Sequence, residues 1–442
     1  MSKQKIQLSD HFDYSRLIRF VLPCIGTMLF TSIYGIVDGL CVSNFVGKTA
    51  FAAVNLIMPV PMLVGTVGFM LGTGGSAIVG ITLGEGDKAR ADRYFSLFMS
   101  TALIAGIVLS VLGMLLLRPV ALMLGAEGEM LDYALRYGRV LMLSLPTFIL
   151  QNMFQSFFVT AEKPHLGFYF TVGAGSTNMV LDVLLVGILH WSVEGAAIAT
   201  ILAQIISLVW QFKTFTNKNE LLHLRRGIYK LRGTIVKNTI AIGMSPFLMN
   251  LAACFIVIFI NKGLKEYDGD LAIGAFGIVN RIVFLFVMIV MGLNQGMQPI
   301  AGYNFGAQQY HRVNQVLKLT IYGATTVTTT GFLVGELMPE LAVSAFTTHE
   351  GLIQLSATGL RIVVIFFPII GFQMVTSNFF QSIGMAGKAI FLSLTRQLLF
   401  LLPSIILLPL CWGSAGIWWS MPISDLAASV VAGIMLYRQF KI

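Results

Sequence analysis

The sequence predicts an all-α polytopic membrane protein: twelve transmembrane helices in two six-helix bundles related by a pseudo-two-fold axis along the membrane normal. Three observations carry this reading. First, of 442 residues, 56% are hydrophobic and only 11% charged, a composition that places most of the chain in lipid and leaves no room for a large soluble enzyme domain. Second, the charges bracket a series of long apolar runs. Third, the two halves of the chain resemble each other in a nearly constant register. If one span takes about 20 apolar residues, twelve use roughly 240 and leave the rest for helix ends, connections and tails.

The runs can be taken in order. No charge intervenes between Arg19 and Asp38, Lys48 and Glu85, or Arg93 and Arg118. Arg139 to Glu162 makes a fourth run, Lys163 to Glu194 a fifth interrupted only by Asp182, and Glu194 to Lys213 a sixth. Residues 238–261, 271–300, 314–335, 358–382, 389–411 and 414–437 supply six more. These segments are helices rather than strands, because they lack polar–apolar alternation and a backbone in lipid must satisfy its hydrogen bonds within the segment or in a closed barrel.

Twenty-nine Lys and Arg against 20 Asp and Glu leave a net charge of +9. In a soluble protein this excess would raise nucleic acid as a partner; here it is read as basic loops beside anionic lipid, with no nucleic-acid role. Most of the basic residues fall in the tails and even-numbered connections, which puts both termini in the cytoplasm. The densest stretch, 213–237, holds Lys213, Lys218, Arg225, Arg226, Lys230, Arg232 and Lys237 against Glu220 alone. It reads as a solvated linker between an N-terminal lobe, 1–220, and a C-terminal lobe, 221–442. Cys24, Cys41, Cys254 and Cys411 form no CxxC or Cys/His cluster, so they are read as small core residues, with neither a metal nor a disulfide framework. The polar stretch before the first span lacks a small-residue cleavage site, against a removed signal peptide.

A shift of about 222 residues lays Pro23 on Pro246, Asp38 on Asn261, Gly74, Gly80 and Gly84 on Gly296, Gly302 and Gly306, and Pro146 and Gln151 on Pro368 and Gln373. Asn152 to Ser156 meets Asn378 to Ser382 after a four-residue slip. Six spans per repeat send both halves through the membrane in the same direction, and two such bundles around a central site suit alternating access. No GxxxxGK[ST] pattern occurs, so ATP is not the energy source within the chain.

These residues resemble the multidrug and toxic compound extrusion (MATE) family, in its bacterial MepA/DinF-like branch. The likeness covers nearly the whole chain. Val37-Asp38, Phe45-Val46-Gly47 and Met58-Pro59-Val60 resemble the family's opening signature. Gly292-Leu293-Asn294-Gln295-Gly296-Met297-Gln298-Pro299-Ile300 is the most specific stretch, and Asn178 to Asp182 with Gly195 to Thr200 resembles the fifth and sixth spans. The resemblance implies an exporter of amphipathic organic cations such as drugs and dyes, driven by inward H⁺ or Na⁺, in the bacterial inner membrane. It also implies a first-lobe ion or proton site at Asp38, Asn178, Asp182 and Thr200. The chain is read as a monomer with no cofactor beyond the coupling ion. Some members carry a second-lobe acidic site; this chain has Asn250, Asn261 and Gln373 there and no carboxylate, which leans toward H⁺ over Na⁺.

Asp38 and Asp182 also stand out on the residues alone. Each costs roughly 2.5 to 3.5 kcal/mol to insert at a helix centre, so a compensating use is expected. Asn178 and Asp182, four apart, share a helix face. A carboxyl withdrawn from water disfavours its charged form, so it can take up a proton on one side and release it on the other. The opposing reading is a buried acid that only holds helices together. For substrate contact the choices are Gln151, Asn152, Phe154 and Gln155 with their counterparts Gln373, Asn378, Phe380 and Gln381. Interhelical hydrogen bonding without ligand contact is an equal alternative for these. Arg396 and Asp425 are expected to pair across neighbouring spans, and Arg281 has no evident partner. Pro23, Pro146, Pro246, Pro299 and Pro368 are expected to kink helices.

Three rival functions remain, of which a non-transporting receptor or scaffold has no pattern of its own to set it apart. A lipid-linked oligosaccharide or lipid flippase would favour a cleft rich in Arg and Lys, whereas the polar cluster here is acidic. An intramembrane enzyme would need a nucleophile with a base or HExxH-type ligands in the spans, and the six His are scattered.

Overall fold

A computed structural model describes residues 5–227 and 232–441; of the basic stretch, Lys230 lies outside the described residues. Every regular element among them is helical. In chain order these are α1 (Tyr14–Phe45), α2 (Lys48–Ile57), α3 (Pro59–Gly84), α4 (Lys88–Met123), α5 (Gly128–Leu143), α6 (Leu145–Thr160), α7 (Pro164–Asp182) with a π-helical continuation Val183–Ile188, and α8 (Ser192–Thr216). They are followed by α9 (Gly233–Asp268), α10 (Asp270–Gly306), α11 (Tyr310–Leu337), α12 (Pro339–Ser344), α13 (Glu350–Val363), α14 (Phe367–Ser382), α15 (Ala386–Leu394), a π-helical segment Thr395–Leu401, α16 (Leu402–Trp412) and α17 (Ser414–Lys441).

Among the described residues, nine helices are long and apolar enough to cross a membrane, and two pairs, α5 with α6 and α13 with α14, qualify when each is taken as one bent span. The twelfth span is α11. Its 28 residues include a threonine-rich run that lowers its hydropathy. The helix itself answers those hydroxyls: Thr320, Thr326, Thr328 and Thr330 donate to the carbonyls of Val316, Tyr322, Ala324 and Thr326 at 2.8, 2.8, 3.0 and 2.8 Å. A hydroxyl tied to its own helix leaves no unmet polar group for lipid.

The repeat is written into the helix starts. Elements beginning at residues 48, 88, 128, 145, 164 and 192 have counterparts beginning at 270, 310, 350, 367, 386 and 414, each 222 later. The breaks match too: α5–α6 and α13–α14 both bend by 56°, with Pro146 and Pro368 at the second position of the following helix. Proline there lacks only an N–H that the first turn would leave unpaired, so it starts a new helix easily and cannot continue an old one. One break is not shared. Pro59 and Pro61 separate α2 from α3, whereas α10 runs unbroken for 37 residues.

Packing divides the chain into two compact units, residues up to Ser9 with Gly26–Gly243, and Asp10–Ile25 with Met244–Ile442. The first part of α1 therefore packs with the second unit, and the start of α9 with the first, so the packing boundaries lie at 25/26 and 243/244 while the chain's linker lies near residue 220. In the first unit α6 packs on α3 and α4, and α8 on α7 and α5. In the second, α14 packs on α10, α11 and α17. Close approach is made by small residues: a Cβ on Gly106 would stand 2.6 Å from Pro146 Cα, and one on Gly371 would stand 2.8 Å from the Ala324 carbonyl. Each unit has its own apolar core, one around Val54, Ile57, Tyr137 and Leu145, the other around Ile260, Phe276, Leu360 and Trp418.

Two expectations need correction. The described part of the 213–237 connection that follows α8, residues 217–227, is not a freely solvated linker. α8 runs to Thr216, and the chain beyond it folds back onto the first unit, where Leu222 is fully buried and Asp92 accepts the His223 backbone N–H at 3.1 Å. Lys163 and Glu220 form an ion pair at 2.5 Å there. Nor are all four cysteines core residues: Cys24 is buried, but Cys254 and Cys411 are exposed. A thiol is apolar enough to face lipid as readily as a core, so an apolar run does not distinguish the two.

Candidate functional site: a buried carboxyl pair in the first unit

The apolar surroundings of α1, α7 and α8 leave few groups that can answer a carboxyl, and the ones present converge. Asp38 on α1 is 4% exposed, Asp182 at the end of α7 is 0%, and Asn178 one turn earlier is 1%. Each carboxyl lies close enough to bear on the other's charge. Ionised carboxyls offer only acceptors and repel each other when withdrawn from water, so a proton or cation at either one relieves the pair. One oxygen of each, Oδ1, has no protein hydrogen-bond partner.

Asn178 holds the cluster together. With its amide oriented as its neighbours require, the NH₂ donates to Asp182 Oδ2 at 3.0 Å and to Tyr34 Oη at 3.1 Å. Its oxygen accepts from the Thr200 backbone N–H at 2.9 Å and the Thr200 hydroxyl at 3.0 Å. The i to i+4 spacing on α7 delivers Asn178 and Asp182 to one spot, and α8 brings Thr200 alongside. Directly after Asp182 the helix changes to π geometry: Leu189 N–H bonds to the Leu184 carbonyl at 2.9 Å, five residues back. Such widened turns favour functional positions in helices because they re-aim side chains without ending the helix.

All four residues expected at the site thus come together. Sequence reasoning missed Tyr34, although it stands one turn before Asp38 on α1 and the spacing could have flagged it. It also missed Tyr137 on α5, 2% exposed and within electrostatic range of Asp38, Tyr34 and Asp182.

The amide and aromatic positions are distributed differently. Gln151, Asn152 and Gln155 are half-buried on α6. Phe154, expected to line an open cleft, is fully buried, its ring centroid 5.1 Å from Phe212, 5.2 Å from Phe215 and 6.1 Å from Phe95. Phe380 is likewise fully buried, beside Phe379 at 5.8 Å and beneath the Lys388 ammonium at 5.3 Å. Both rings fill core space, because an aromatic face among other rings gains more from packing than from a hydrated cavity. Gln373 donates to the Leu392 carbonyl at 3.2 Å, Asn378 is half-buried, and Gln381 is 4% exposed with its Nε2 unpartnered. The stretch from Gly292 to Ile300 buries three further amides, Asn294, Gln295 and Gln298, and neither end of the Gln295 amide has a partner. In the second unit Arg396 Nε donates to Asp425 Oδ1 at 2.6 Å, with Asp425 2% exposed. Arg281 is exposed on α10. Among the described residues no three His, Cys, Asp or Glu side chains are grouped to hold a metal ion.

Twelve spans in two bundles, with two carboxyls buried inside one of them, define a polytopic membrane protein. The MatE family model matches residues 23–184 and again 242–406, once in each repeat. The chain belongs to this family, multidrug and toxic compound extrusion. It is 24% identical over 424 residues to the multidrug export protein MepA of Staphylococcus haemolyticus, covering 96% of this chain and 93% of the relative. Its fold is similar to that of the MATE multidrug transporter DinF-BH, with a TM-score of 0.90, 28% identity, and coverage of 99% of this chain and 98% of the other. An outward-facing multidrug resistance MATE transporter of the MOP superfamily gives a TM-score of 0.92 at 21% identity, covering 100% of this chain and 99% of the other.

Proposed function

We propose that this chain is an antiporter of the bacterial inner membrane, with both termini cytoplasmic, that exports amphipathic organic cations by alternating access and is coupled to entering protons. The observation that carries this reading is the Asp38–Asp182 pair, two acids buried inside a membrane-spanning bundle and close enough to bear on each other's charge. The names of the MepA relatives support drug-like substrates. The donor set favours H⁺ over Na⁺: Asn178 turns its N–H toward Asp182 and its oxygen is taken up by Thr200, which leaves the two carboxyl Oδ1 atoms as the open oxygens, a small set for a metal ion that gathers several oxygen ligands. Uptake of a proton by the pair weakens the demand for those donors and lets α1, α7 and α8 shift relative to one another, which links protonation to a change in the bundle.

A flippase for lipid-linked oligosaccharides fits less well. The cluster that is buried is acidic, and Arg396, the cation best placed within the second unit's spans, is already held by Asp425. Ethidium efflux from proteoliposomes under an imposed pH or sodium gradient tests the reading. Wild type should respond to the pH gradient, and Asp38→Asn and Asp182→Asn should lose that response. Normal pumping by both variants would remove the site from the mechanism, and a response to sodium alone would overturn proton coupling.

A further inference from the structure

Between α7 and α8 the first unit carries a cavity of about 180 Å³, apart from the carboxyl cluster. Its walls are Tyr169, Phe170 and Trp210, and its floor is made of small residues, Gly173, Ala174 and Ala203. It opens outward, since Tyr169 is 63% and Trp210 55% exposed. α7 and α8 are both spans, so this outer face meets lipid.

The two aliphatic hydroxyls in the lining are already used. Thr177 Oγ1 donates to the Gly173 carbonyl at 2.8 Å, and Ser207 Oγ donates to the Phe170 carbonyl at 3.4 Å and accepts from Gln211 Nε2 at 3.0 Å. Apart from the Tyr169 hydroxyl and the Trp210 indole N–H, what remains in the lining is apolar surface, and an unfilled groove would forfeit dispersion contacts along its walls. That describes a place for hydrocarbon, not for a polar ligand.

One end of the groove is positively charged. The Lys213 ammonium lies 5.1 Å from the Trp210 ring. The acids nearby in sequence are occupied: Glu220 pairs with Lys163 at 2.5 Å, and Glu162 pairs with Lys5 at 3.7 Å and accepts the Leu8 N–H at 2.9 Å. Exposed Lys213 and Lys218 are left to set the local charge. Trp and Tyr with a basic neighbour are the combination that settles at the headgroup level of a bilayer.

We propose that this groove holds one anionic phospholipid, an acyl chain lying between Tyr169 and Trp210 over Gly173 and Ala203, with the headgroup phosphate at Lys213. A cationic passenger is disfavoured at the same place by Lys213. Native mass spectrometry of the full chain, released from vesicles of phosphatidylglycerol and phosphatidylcholine, tests this. Wild type should keep one phosphatidylglycerol through mild delipidation. Lys213→Gln, an exposed change that leaves packing alone, should lower phosphatidylglycerol retention about fivefold without changing phosphatidylcholine retention. Ala203→Leu, which fills the floor, should lower retention of both, with thermal melting confirming that the variant is folded. Equal phosphatidylglycerol retention by wild type and Lys213→Gln, no preference between the two lipids in wild type, or displacement of the lipid by ethidium would each overturn the proposal.

Discussion

At the residue scale the carboxyl pair is defined as much by what surrounds it as by the acids. Asn178 makes four hydrogen bonds that leave it no freedom to rotate: its NH₂ reaches Asp182 and Tyr34, and its oxygen is fixed by Thr200. Tyr34→Phe removes one of these and spares the ring. One hydrogen bond of about 1 kcal/mol should slow proton-driven efflux about fivefold, less than the full loss expected of Asp182→Asn, as read by initial rates at equal protein in proteoliposomes. Asn178→Leu should abolish coupling although it removes no titratable group, because Asp182 Oδ2 and the Thr200 N–H would both lose their partner; unchanged efflux would leave Asn178 a packing residue only. Asp38 and Asp182 were visible in the sequence because a charge in an apolar run is conspicuous. Tyr34 was not, because a tyrosine in such a run looks like any other aromatic until the fold brings an amide to its hydroxyl.

At the scale of elements, the helices are shaped by where proline and small residues fall. Gly106 lets α4 lie against the start of α6, and Gly371 lets α14 lie against α11. A valine at Gly371 must push the Ala324 backbone aside. Overpacking of this kind costs about 1 to 3 kcal/mol, so Gly371→Val should lower the thermal midpoint in detergent where Gly387→Ala, at a position with open space, should not. The Arg396–Asp425 contact belongs to this scale as well. Removing Arg396 alone leaves a carboxylate buried without its partner, a loss of about 3 to 5 kcal/mol, whereas Arg396→Met with Asp425→Leu should recover most of it. A double variant no more stable than Arg396→Met would show that the pair is not the reason for the loss. Sequence reasoning placed the twelve spans by their charge-free runs. Pro146 and Pro368 marked where two of them bend, by 56°, but the π turns that two others pass through were not legible, since hydropathy reports burial in lipid and is indifferent to backbone path.

At the scale of the whole molecule the proposed cycle has an electrical consequence. One charge crossing 100 mV is worth about 2.3 kcal/mol, and exchanging one entering proton for one leaving monovalent cation cancels it. If both carboxyls load and empty in each cycle, two charges enter per cation and the membrane potential contributes. Efflux from proteoliposomes at equal pH on both sides should then speed up when a potassium gradient with valinomycin makes the substrate-loaded compartment negative. Insensitivity to potential would argue for a single exchanged proton. The doubled architecture does not imply a doubled site: the first unit has its acids, while the corresponding spans of the second carry Asn261 on α9, neutral amides on α10 and α14, and an acid on α17 already bound to arginine.

What the sequence alone determined was the number of spans, the place of each along the chain, the repeat at 222, and the two acids worth attention. These are properties of local composition and spacing, and lipid enforces them segment by segment because each span must be apolar and satisfy its own backbone. The tertiary structure decided which side chains share a site. It brought Tyr34 and Thr200 to the acids, buried Phe154 and Phe380 among rings, folded the basic connection down onto the first unit, and exchanged the ends of α1 and α9 between the two cores. Those outcomes depend on which helix faces meet, and that depends on small residues and breaks far apart in the chain.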